Sequence, residues 1–133
     1  MIGSTGRWAL SLAMALLLLG GVPADGASEK HRKEIYHELN LTREQTGQLE
    51  SLESRTQALS RERKSQLKVR REELEDVYRR YHLDEQRARR LRGEIRDIQG
   101  QLLELHHSFQ EGLRRILTQS QFERLEHELR ERD

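Results

Sequence analysis

Six histidines stand among twenty-three carboxylates in this chain, and there is no cysteine. His31, Glu34 and Glu38 fall at i, i+3 and i+7, on one face of a helix if the segment is helical, with His37 one step round. Imidazole and carboxylate groups suit Zn²⁺, Ni²⁺ or Co²⁺. Further on, His106 and His107 stand near Glu104 and Glu111. The two groups can share an ion only if the N-terminal segment folds across the later one, because His31 and His37, six residues apart, cannot chelate from one helical face. Solvated or seam-flanking histidines are the plain alternative, and His82 and His127 read as surface residues. A second candidate is the stretch "RERKSQLKVRRE", residues 61–72. Arg61, Arg63, Lys64, Lys68, Arg70 and Arg71 there form either a basic surface for a polypeptide client or a solvated helix face. No Gly-rich phosphate loop or nucleophile–base signature is present, so the expectation is a binding protein, not an enzyme, that requires no cofactor.

Positioning these groups falls to helices. Charged residues make up 35% of the 133 and hydrophobic residues only 34%, too few for a large private core. No proline follows Pro23, and Glu, Arg, Leu, Gln and Lys dominate the rest. The pattern predicts a short helix over 28–39, long helices over 43–80 and 85–116, and a last one over 119–132. In the second long helix Ala88, Leu91, Ile95, Ile98, Leu102, Leu105 and Phe109 alternate in steps of three and four, a heptad seam. In the first, the expected seam is Leu49, Leu52 and Leu59, resuming at Leu74, Val77, Tyr78 and Tyr81. "YHLDEQ", residues 81–86, supplies the bend, with Asp84 as N-cap. The expectation is an all-α fold: an antiparallel helical hairpin with arms of roughly 50 Å, flanked by short helices. A pair that thin buries little, which favours a homodimer.

The helix starts carry a repeated phrase. Residues 41–45 read "LTREQ" and residues 117–121 read "LTQSQ". Thr42 with Gln45, and Thr118 with Gln121, each form a capping box, in which the threonine hydroxyl and the glutamine amide satisfy each other's backbone N–H. Leu41 and Leu117 precede them as staple residues. Leu117 can meet Phe122, whereas the equivalent position in the first copy is Thr46.

The start of the chain is of another kind. Arg7 is followed by the apolar run "WALSLAMALLLL" and then "GGVPADGAS". Twelve apolar residues are short of the ~20 that span a bilayer, and the layout is that of a secretory signal peptide. Cleavage is expected after Ala24, with cleavage near Ala27 or retention as an anchor as alternatives, and only a retained segment would tie the chain to a membrane. The organisation read from sequence is therefore 1–24 signal peptide, 25–40 N-terminal segment, and 41–133 helical domain. Without residues 1–24 the chain is formally neutral, because only Arg7 is lost from the charged set, which argues against nucleic acid as partner.

The paired motif behind a secretion signal, in a cysteine-free helical chain, resembles the LTxxQ family of Spy/CpxP-like proteins and related heavy-metal-resistance sensors. The resemblance implies a cradle-like, all-α homodimer in the periplasm of a Gram-negative bacterium. One branch implies ATP-independent binding of unfolded proteins, as chaperone or adaptor. The other implies a metal sensor whose ligands here would be His37, Glu53, and His106 or His107. This sequence departs from that pattern in the spacing of His31 and His37 and in having no methionine after the signal segment. A structural dimer partnering an envelope signalling protein is the third reading.

Overall fold

The computed structural model describes residues 34–131. The signal-peptide reading and His31 fall outside the described residues. The fold is all-α. A short helix, α1, occupies residues 34–38, and Asn40 ends it with a φ of 53°. Asparagine tolerates that left-handed geometry better than most side chains. Three helices follow: α2 (Arg43–Tyr78), α3 (Glu85–Ile116) and α4 (Gln119–Glu131). α2 stops two residues before its expected end, at a cap on Arg79 whose N–H donates to the Glu75 carbonyl, while the Arg80 N–H donates to that of Val77. Asp84 starts α3 as expected, its side chain accepting from the Arg87 N–H at 3.1 Å.

α2 and α3 pack antiparallel. Val77 and Leu74 meet Ala88 and Leu91 beside the bend, Leu67 meets Ile98 and Leu102 midway, and Leu49 meets Phe109, Leu113 and Ile116 at the far end. There a second cluster joins Ile35 of α1 and Leu39 just after it to Leu117, Leu125 and Phe122. The 25–40 segment thus contributes α1 to the same packed end as α4.

The α3 seam follows the heptad reading. The α2 seam follows it at Leu49, Leu52, Leu74 and Val77 only. Leu59 is 37% exposed, Tyr78 53% and Tyr81 95%, so these three lie outside it. Leu49, Leu52, Leu74 and Val77 pack against α3 as expected, and a stripe of buried or half-buried residues runs in steps of four and three through Leu49, Glu53, Thr56, Ser60, Arg63, Leu67, Arg70, Leu74 and Val77. Polar side chains hold five of those nine positions. Thr56 stays satisfied by donating to the Leu52 carbonyl at 2.7 Å, and Arg70 reaches across to Glu94 at 2.9 Å. Gly112 holds a seam position on α3 because Leu52 fills its place: a Cβ there would lie 2.8 Å from Leu52 Cδ2.

This distribution puts the apolar stability at the ends. Leu49 is fully buried, while Leu103 is 70% exposed. Leu49→Ala should cost about 2–5 kcal/mol, and Leu103→Ala should stay within about 0.5 kcal/mol, in urea unfolding followed by circular dichroism.

Candidate functional site

The two copies of the repeated motif meet. Each forms its capping box: Thr42 Oγ1 accepts from the Gln45 N–H at 3.1 Å and Thr118 Oγ1 from the Gln121 N–H at 3.2 Å. In return Gln45 Oε1 accepts from the Thr42 N–H at 2.9 Å, and Gln121 Oε1 from the Thr118 N–H at 3.0 Å. Both glutamines also pair with each other, Gln45 Nε2 donating to Gln121 Oε1 at 2.7 Å and Gln121 Nε2 to Gln45 Oε1 at 3.2 Å. Their remaining N–H groups reach carbonyls at the ends of the preceding helices: Gln45 to Ile116 at 3.0 Å and Gln121 to Leu39 at 3.4 Å. Two donors and two acceptors on each amide are all used. One interaction thereby satisfies groups at the ends of α1 and α3 and at the starts of α2 and α4. Leu41 and Leu117 pack beside it, Leu117 with Phe122 in one cluster as the staple predicts, and Arg114 lies over the Phe122 ring at 4.4 Å.

Away from that clasp, where α2 turns polar, the pair opens into a groove of about 700 Å³. Leu59 and Arg63 line it from α2, and Arg96, Asp97, Gly100, Gln101, Leu103, Glu104, Leu105 and Ser108 from α3. Leu59 and Leu103 give it an exposed apolar surface. Arg96, Asp97 and Glu104 form no ion pair among the described residues, so their charges are available to a ligand. Gly100, on the outer face of α3, opens onto this groove with no atom within 4 Å of where a Cβ would stand.

Of the six basic candidates, only Arg63 lines this groove. Arg61, Lys68 and Arg71 point to solvent. Arg70 is engaged with Glu73 and Glu94, at 3.1 and 2.9 Å, as a tie between helices. Lys64 Nζ is covered and has no hydrogen-bond partner, and burial lowers its pKa from the ordinary lysine range.

Among the described residues, the histidine candidates stand apart from one another except for the neighbours His106 and His107. His37 is exposed. Glu53 accepts a hydrogen bond from the Tyr36 hydroxyl, a link between α1 and α2 that sequence reading missed. His107 is exposed and pairs with Glu111 at 3.3 Å. His106 is half-buried, with Nδ1 covered and unpartnered. Burial, then the neighbouring His107, lowers its pKa below the usual histidine value. Among the described residues, no group of three or more His, Asp or Glu side chains stands ready to hold a metal.

Gln45→Ala and Gln121→Ala should each cost about 1–3 kcal/mol by stranding half-buried partners. Together they should show a coupling of about 0.5–3 kcal/mol in a double-mutant cycle. His106 makes a separate prediction. Its lowered folded-state pKa means the unfolded chain takes up a proton first as pH falls below ~6.5. Stability should therefore drop from pH 7 toward pH 5, and drop less in His106→Gln, in urea midpoints measured across that range.

Known proteins place the chain. A family model described as LTXXQ motif family protein matches residues 27–129, taking in α1 as well as both motif copies. No curated protein and no solved structure matches. The chain belongs to the LTXXQ motif family.

Proposed function

We propose that this protein is a periplasmic Spy/CpxP-like stress protein, not an enzyme, that binds unfolded or misfolded polypeptides without ATP as a chaperone or adaptor. In this reading the antiparallel helix pair is a hairpin, and two copies assemble as a cradle-like homodimer. The observation that carries it is the groove between α2 and α3. An unfolded segment offers apolar side chains interspersed with both charges. The groove answers with Leu59, Leu103 and Leu105 beside unpaired Arg96, Asp97 and Glu104. Burying one leucine-sized client side chain contributes ~1.5–3 kcal/mol before ordering costs. One contact is therefore weaker than millimolar, which takes about 4 kcal/mol, and a dimer presenting two grooves gains from engaging both. Membership of the LTXXQ motif family supports the periplasmic assignment.

A metal-sensing role is the second reading. Its support is His106, an imidazole that burial biases toward the neutral, ligating form and whose covered Nδ1 has no partner. Calorimetric titration with Zn²⁺, Ni²⁺ and Co²⁺, repeated on His37→Ala and His106→Ala, tests it: binding heat that both variants lose supports this reading, and no binding heat ends it.

For the chaperone reading, the purified protein should suppress aggregation of chemically denatured clients at near-stoichiometric ratios without nucleotide. The Leu59→Ser/Leu103→Ser variant, altered only at exposed positions, should lose most of that effect while keeping its helicity. No suppression by the unaltered protein over several clients would contradict the reading.

A further inference from the structure

The bend between α2 and α3 carries a surface that the groove does not use. Tyr81 is 95% exposed, Tyr78 53% and Leu83 43%, three of the most exposed large apolar side chains of the described residues. The Tyr81 ring stands edge-on to His82, 5.1 Å between centroids. Around them lie arginines. Residues 75–92 hold six (79, 80, 87, 89, 90 and 92) against four carboxylates, Glu75, Asp76, Asp84 and Glu85, a surplus of two. Asp84 is engaged as the cap of α3, and Arg79 is balanced by Glu75 and Asp76 at 3.8 and 3.3 Å. Arg80, Arg87, Arg89, Arg90 and Arg92 are exposed and form no ion pair among the described residues. At ~1.5 Å per helical residue, all lie within roughly 12 Å of the tip.

We propose that this tip docks end-on onto a bilayer surface containing anionic phospholipid. Arginine guanidinium groups pair with phosphate in two-pronged geometry. Tyrosine rings with a polar edge settle at the headgroup level, where one end is apolar and the other wet. The shape selects among acidic partners. A narrow convex end offers a folded protein too little area for a stable interface, which takes about 1,200 Å² or more. A plane of many headgroups instead lets every arginine find a phosphate. None of the described helices is long and apolar enough to cross a membrane, so the contact is peripheral.

Flotation of the full chain with phosphatidylcholine vesicles, with and without phosphatidylglycerol, tests the proposal. Binding should rise with phosphatidylglycerol and weaken with added salt. Each basic residue at an anionic surface strengthens binding about fivefold. Arg87→Gln/Arg89→Gln/Arg90→Gln should therefore lower the phosphatidylglycerol-dependent binding at least about tenfold, and Tyr81→Ser/Leu83→Ser should lower it as well. All five positions are exposed, so helicity should be unchanged by circular dichroism. The apolar N-terminal run is common to every variant and indifferent to lipid charge, so it cannot produce those differences. Binding equal on both vesicle types, or unchanged in the arginine variant, overturns the proposal. So does tip-dependent binding to polyglutamate without binding to vesicles.

Discussion

Four helix ends in this fold are held by two facing amides. A helix leaves its last carbonyls and first N–H groups without internal partners, and a chain that reverses direction where helices end must satisfy those groups locally. Gln45 and Gln121 do so jointly. Each caps its own helix, and each reaches a carbonyl of the helix that precedes the other motif, Ile116 for Gln45 and Leu39 for Gln121. Glutamate would complete a capping box equally well. It could not donate the two N–H bonds that join the copies, which is why an amide stands at both positions.

The clasp lets the middle of the structure be poor in apolar contacts. With α1, α4 and the far ends of α2 and α3 gathered around Leu49, Leu117 and Leu125, and Val77, Ala88 and Leu91 closing the bend, the register of the long helices is set from both ends. Between those clusters α2 presents Thr56, Ser60 and Arg63 to an apolar α3, with the Leu67 cluster between the groove and the bend. The groove lies beside the α3 stripe there and shares Leu105 with it. The buried clusters and the exposed apolar surface of Leu59 and Leu103 thus lie on different faces of one helix pair.

Much of this was legible from the sequence. Caps at Thr42, Asp84 and Thr118 placed three helix starts, because their chemistry is local. The α3 seam was legible because all its larger positions are apolar. The α2 seam was legible at Leu49, Leu52, Leu74 and Val77 but not at its centre, where polar residues stand, so an apolar search drifted to Leu59, Tyr78 and Tyr81, which are exposed. The basic run left a client surface and a solvated face as alternatives, and the helix sends Arg61, Lys68 and Arg71 outward and commits Arg70 to Glu94. The pairing of the two motifs depends on contacts 76 residues apart, and no local rule contains it. The one signal available was the use of glutamine at both cap positions in a chain otherwise rich in glutamate.

The central claim is that the two motif copies are a single interaction and not two independent caps. Native-state hydrogen exchange at the backbone amides of Thr42 and Thr118 tests it most directly, since each donates to a glutamine oxygen of the clasp. The account predicts that both amides are protected and that Gln121→Ala speeds exchange at Thr42, across the interface from the substitution. Exchange at Thr42 that is indifferent to Gln121→Ala would contradict it.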